Sequence, residues 1–216
     1  MSIEPKVKVP GARRERRTPQ QARALALRSA RNLLISQGPN AITLQSVASD
    51  LGMSHTNLIH HFGSAGGLQT ALMHHMISEL TDTIESAVVR FRSGEGDVDD
   101  FVNIVFDAFD TGGAGSLAAW IMLCGEGRRL EPVGEVVRSY IRNVERGIDE
   151  DLASAHARVT SATLLVTIAA FGDAMIGGVL RDMVGREPDA VRRIISQFLC
   201  HLVPAALGSP EPTNPD

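Results

Sequence analysis

Apolar positions along the chain recur at intervals of three and four, and nowhere alternate, so the pattern predicts helices throughout. The best-marked stretch is 43–62, TLQSVASDLGMSHTNLIHHF. Leu44, Val47, Ala48 and Leu51 share one helical face. Thr43 is a candidate N-cap, and Gly52 falls where a left-handed residue can end the helix. Ser54 is placed to cap a second short helix, which Leu58 and Phe62, four apart, would hold against the first. His55, Thr56, Asn57, Ile59, His60 and His61 are left largely outside that seam. The second helix is thus uncharged at neutral pH and crowded with donors and acceptors. A helix-turn-helix recognition helix has this character, because it puts hydrogen-bonding side chains into a major groove.

The remaining elements follow from the same periodicity. Thr18-Pro19-Gln20-Gln21 reads as a capping box with Pro at the first helical position. It opens a helix that buries Leu27, Ala30, Leu33 and Leu34 and ends near Gln37, before Gly38-Pro39. A long helix is predicted from Gly67 to about Phe91, followed by helices at 97–110 and 117–124. Glu131 to about His156 is expected to be one helix, with Val133, Val137, Tyr140, Val144 and Ile148 inward. Residues 162–184 are apolar on nearly every side and rich in small residues, so that helix needs cover all round, which implies a partner subunit. A final helix runs from Pro188 to about Leu207, with Val191, Ile194, Ile195, Phe198, Leu199 and Leu202 buried. The expectation is an all-α fold of about nine helices. Its parts are a disordered basic arm (1–17), a three-helix DNA-binding domain (18–66), a larger effector-binding and dimerisation domain (67–207) and a disordered tail (208–216).

Charge sharpens this picture. The 216 residues carry a net charge of −4, which alone argues against a nucleic-acid partner. The distribution reverses the argument: residues 1–36 hold nine Lys and Arg against two Glu, and the rest hold twelve against twenty-three. A basic end on an acidic body is the electrostatic footprint of a DNA-binding module joined to something else. Only Cys124 and Cys200 occur, both on apolar stretches, so buried thiols in a reducing compartment are expected. The N-terminus lacks the apolar core of a signal peptide, and Asp173 and several glycines break the longest apolar stretch, so a cytoplasmic protein without a membrane partner is expected.

Gly38, the run AITLQSVASDLGMSHTNLIHHFGS and the long helix directly after it resemble the N-terminal domain of the TetR family of transcriptional regulators. The resemblance is close over residues 20–75 and architectural beyond. Two positions depart from it: Ile59 stands where the family usually has Tyr, and Ala65-Gly66-Gly67 follow Ser64 where a Lys is usual. Both family residues commonly touch DNA phosphates. The resemblance implies a homodimeric, sequence-specific regulator of double-stranded DNA, a repressor released by a small apolar effector. His61 matches a family phosphate contact.

Thr43, Ser54 and His61, at helix ends, are phosphate candidates, with Gln45 and Arg17 weaker ones; His55, Thr56, Asn57 and His60 are aimed at base edges. Phe106, Phe109, Trp120, Met122, Tyr140, Phe171 and Met175 form a bulky set that could line a ligand pocket. Neighbouring histidines diverge by about 100° on a helix, so no metal site is expected, and no cofactor. No phosphate-cradling loop or catalytic triad can be read from spacing. An all-α metal-dependent enzyme, suggested by Asp99-Asp100-Phe101-Val102-Asn103, and a helical protein–protein adaptor are the competing classes.

Overall fold

The computed structural model describes residues 18–146 and 151–207, excepting the side chains of 202–207. The arm with Arg17, Ile148, Leu202 and the C-terminal tail therefore lie outside what is described. Among the described residues nine helices occur and no strand. They are α1 (Pro19–Gln37), α2 (Leu44–Leu51), α3 (His55–Phe62), α4 (Ala65–Arg92), α5 (Val98–Phe109), α6 (Ala114–Leu123), α7 (Glu131–Glu145), α8 (Leu152–Val184) and α9 (Ala190–Leu207). Short 3-10 turns follow α1 and α6, and α8 contains a π-helical segment at Asp173–Gly177.

Local chemistry sets the first boundaries. The Thr18 hydroxyl accepts from the Gln21 amide while the Gln21 side chain accepts from the Thr18 amide, which is the capping box expected there. Gly52 ends α2 at φ 59°, ψ 37°, a conformation costly for any residue with a Cβ. Ser64 caps α4 two residues earlier than predicted.

Two readings need correction. Residues 131–156 are not one helix: α7 stops at Glu145, and α8 begins at Leu152, where the Asp151 carboxylate accepts from the Ala153 and Ser154 amides. Periodicity continues across that break, so only the cap could have marked it. Before α6, Gly113 is left-handed as the N-cap, and a Cβ on Gly115 would sit 2.7 Å from the Phe109 carbonyl. Cys124 and Cys200 are both exposed, not buried.

Two apolar clusters run along α4. The first joins Leu27, Leu34, Val47, Leu58, Phe62, Leu68 and Leu72 with Leu117 and Ile121 of α6. The second joins Ile84 and Val88 with Val102, Phe106, Ile141, Val159 and Leu199 from α5, α7, α8 and α9. Helix α4 is thus common to both halves, and its first turns pack with the helix-turn-helix.

Helix α8 has one covered side, with Ala155, Val159, Val166 and Ala170 buried. Its other side exposes Leu164, Ile168, Ile176, Val179, Leu180 and Met183, and Ile194 and Phe198 of α9 are 47% and 63% exposed. The burial expected for Ile194 and Phe198 is therefore absent within one chain. Helix α8 is long and apolar enough to cross a membrane by length and composition. It nevertheless carries the Asp173–Arg181 ion pair across its π segment.

Candidate nucleic-acid interface and core cavity

Helix α3 is held by its own apolar residues and by α1, while α2 and the turn before it are tied to α1 and α4. Leu58 and Phe62 sink into the first cluster from α3 itself. Arg23 of α1 donates to the His61 carbonyl at 2.8 Å and lays its guanidinium 4.7 Å from the Phe62 ring centroid. Ser29, buried on α1, bonds Asp50 of α2 at 2.6 Å, and Gln69 of α4 donates to the Ile42 carbonyl at 3.3 Å. These links cross twenty or more residues, so no periodicity could have announced them.

On this frame His55, Thr56, Asn57, Ile59 and His60 are all exposed, and His61 is half-buried. The Ser54 hydroxyl caps the helix by accepting from the Asn57 amide at 3.3 Å. Thr43 caps α2 by accepting from the Ser46 amide at 3.0 Å, and its hydroxyl lies 2.8 Å from that of Ser46. Gln45 is exposed beside it, 3.4 Å from the Ser49 hydroxyl. Gln45 is thus exposed in the first turn of α2, Ser54, His55, Thr56 and Asn57 at the N-terminus of α3, and His60 in its last turn. Helix N-termini favour anions. Among the described residues no His, Cys, Asp or Glu cluster has the makings of a metal site.

At the other end of α4, a cavity of about 720 Å³ opens between α4, α5, α6, α7 and α8. Of the bulky set expected from the sequence, Phe109, Tyr140 and Phe171 line it. Phe106, Trp120, Met122 and Met175 are not among its lining residues. Phe106 is instead buried in the core with the Arg192 guanidinium 5.3 Å from its ring centroid, and Met122 is exposed. Reading bulky residues as pocket walls failed at these positions because a wall is where helices fail to meet, and side-chain size does not report that. The lining that the sequence left unnamed includes Val133 and Leu130 near α6 and the threonines at 81, 160, 163 and 167. Burial pushes the Tyr140 phenol up to about 12, with the Glu85 carboxylate adding to the shift. Tyr140 is therefore a neutral donor at any physiological pH.

Cavity and interface share walls. Met73 and Ile77 of α4, with Ala114 of α6, line the cavity and also belong to the cluster that holds Leu58 and Phe62. The 3-10 turn after α6 reaches further: a Cβ on Gly66 would collide with the Arg129 guanidinium, so that arginine lies on the first turn of α4.

This arrangement is the all-α fold of TetR-family transcriptional regulators, two helical clusters hung on one long helix behind a helix-turn-helix. The chain is similar to the helix-turn-helix regulator BetI of Brucella anthropi, 25% identical over 160 residues, covering 73% of this chain and 80% of that protein. A TetR-family regulator from Pectobacterium atrosepticum superposes with a TM-score of 0.55 at 18% identity, covering 89% of this chain and 97% of the other. The fatty acid degradation regulator FadR from Bacillus halodurans gives 0.55 at 14% identity, covering 94% and 98%. A protein from Saccharomonospora viridis solved in complex with choline gives 0.53 at 15%, covering 84% and 97%. No known family model matches the chain. Its relatives are regulators of transcription and not enzymes.

Proposed function

We propose that the protein is a cytoplasmic, homodimeric transcriptional repressor that binds operator DNA through α3 and leaves it when a small apolar molecule enters the core cavity. The observation that carries this reading is the recognition helix: its apolar residues are locked into the first cluster while His55, Thr56, Asn57 and His60 stand free. Direct readout needs that combination of rigid frame and exposed donors and acceptors. His61, Ser54, Thr43 and Gln45 take phosphates in this reading, and Arg17 adds a backbone contact from the arm.

The second copy is assigned to the exposed apolar faces of α8 and α9. Leu164, Ile176, Leu180 and Phe198 are too contiguous for an ordinary solvated surface, and an interface between copies removes them from water. The choline complex of the Saccharomonospora viridis protein supports a small-molecule effector for this fold. Release follows from the shared walls: a ligand touching Met73, Ile77 and Ala114 touches the packing that orients α3. A switch from nearly all bound to nearly all free requires about 10⁴-fold preference for the DNA-incompetent state.

The test is selection of duplex fragments by the purified protein, followed by titration of the enriched sequence at several salt concentrations. Specific binding whose affinity falls linearly with log salt is the expected result. No enrichment over random DNA would refute the reading.

A further inference from the structure

Charge is missing from the cavity, and what replaces it is ordered. Among the described residues no Lys, Arg, His, Asp or Glu lines the space. The nearby Glu85 carboxylate accepts from the Asn143 side chain at 3.0 Å and does not line the cavity. A cation placed inside would lose its hydration against no counter-charge, which costs several kcal/mol. Aromatic rings can hold a quaternary ammonium when they form a cage. Here Phe109 and Phe171 are turned edge-to-face on one another, centroids 6.4 Å apart, and Phe101 pairs with Phe91 at 5.8 Å.

The shape is as telling. Along α4 the lining runs from Met73 to Val88, a rise of about 22 Å. A volume of about 720 Å³ along that length has room for an extended alkyl chain.

Polar groups are few in the lining. Thr160, Thr163 and Thr167 fall at i, i+3 and i+7, on one face of α8, with Tyr140 of α7 hydrogen-bonded to Thr163, and Thr81 of α4 gives its proton to the Ser78 carbonyl. The Thr163 hydroxyl donates to the Val159 carbonyl at 2.7 Å and that of Thr160 to the His156 carbonyl at 2.6 Å. Their protons are committed to the backbone, so toward the cavity they can only accept. The Tyr140 phenol can donate. A hydroxyl is the head group that both gives a proton to a threonine and takes one from a phenol.

We infer that the cavity takes a neutral, linear, lipophilic alcohol, its chain along α4 and its hydroxyl on the Tyr140–Thr163 pair. This rests on the reading of the cavity as the effector site and excludes choline-like cations from it.

The assignment is tested by calorimetric titration of the full chain, without DNA, using 1-octanol, 1-decanol, 1-dodecanol, laurate, dodecyltrimethylammonium and choline below micelle-forming concentrations. Affinity should rise about fourfold per methylene through the alcohols. Laurate and dodecyltrimethylammonium, with the same chain and a charged head, should bind at least an order of magnitude more weakly than 1-dodecanol, and choline not at all. Tyr140→Phe should weaken 1-dodecanol about fivefold while leaving the increment per methylene unchanged, a pattern that partial unfolding would not give. Equal or tighter binding of either charged dodecyl compound, or no binding of any alcohol, would overturn the assignment. Operator release is then read separately with labelled DNA, so that an alcohol that binds without releasing DNA refutes the effector role and leaves the ligand class standing.

Discussion

The two ends of α4 solve opposite problems with the same kind of helix. At the helix-turn-helix end, Ile42, Val47, Leu58, Leu68 and Leu72 are fully buried, and the outward residues of α3 are polar except Ile59. At the other end, the helices stand apart around 720 Å³ of apolar space, and large apolar side chains face outward on α8 and α9. A well-packed interior resists change, whereas unfilled space and uncovered faces are waiting for contacts from other molecules. In the proposed function the first end presents one geometry to DNA, and the second shifts between states when a ligand binds. Stability and responsiveness are thus divided along a single helix, and substitutions at the two ends should behave differently.

The largest effect should come from the uncovered face. Leu180 is 48% exposed in the single chain, so Leu180→Asp should leave the monomer folded. In a symmetric interface it buries two unpaired charges, each costing about 3–5 kcal/mol. Sedimentation should then show monomers, and operator affinity should collapse. An unchanged dimer would remove α8 from the interface and with it the main explanation for the exposed leucines. This probe is cleaner than a substitution at Gly177, where Asp173 and Arg181 already occupy the space a side chain would need.

Next comes a paired comparison of packing. Leu68→Ala, at 0% exposure in the closed cluster, should cost about 2–5 kcal/mol in denaturant unfolding. Val133→Ala, on the cavity wall, deletes atoms that already border open space and should cost about 1 kcal/mol. Equal losses would mean that the cavity collapses in solution and the contrast between the ends is false.

Smaller still is the readout effect. Asn57→Ala should cost about 1–3 kcal/mol and relax preference at one base position, while His61→Ala should weaken all sequences alike. A profile over single-base operator variants separates the two. If Asn57→Ala lowered affinity uniformly, α3 would be lying on phosphates and not in the groove.

These contrasts also mark what the sequence could tell. Thr18, Thr43, Ser54 and Gly52 act within a few residues of themselves, so their roles as caps and turn were legible from spacing. The resemblance to TetR-family regulators rested on that same stretch. Arg23 on His61 and Phe62, or Arg129 on Gly66, join elements far apart in the chain and left no local signature. The cavity was half legible: Phe109, Tyr140 and Phe171 were named for their bulk, but so were Trp120 and Met122, which lie elsewhere. The end of α7 at Glu145 and the start of α8 at Leu152 were missed because the apolar rhythm of α7 runs into that of α8, and only Asp151 marks the restart.

The smallest effect compares the caps of the two ends. Ser54→Ala removes a neutral cap from α3 and should cost about 1 kcal/mol, the same at every pH. Asp151 caps α8 with a carboxylate, and the hydrogen bonds from Ser154 and Ala153 hold its pKa below the ordinary aspartate value. Since the folded-state value is the lower one, the contribution is fully present above the ordinary aspartate range and is lost as pH falls through the folded-state value. Asp151→Asn keeps an acceptor but loses the charge at the helix N-terminus. The stability difference between wild type and Asp151→Asn should therefore be measurable at neutral pH and shrink on acidification, while the Ser54→Ala difference stays flat. Denaturant midpoints of both variants across the acid range check this. If the Asp151→Asn difference were also flat, the carboxylate would be acting only as a hydrogen-bond acceptor, and the two caps would be equivalent.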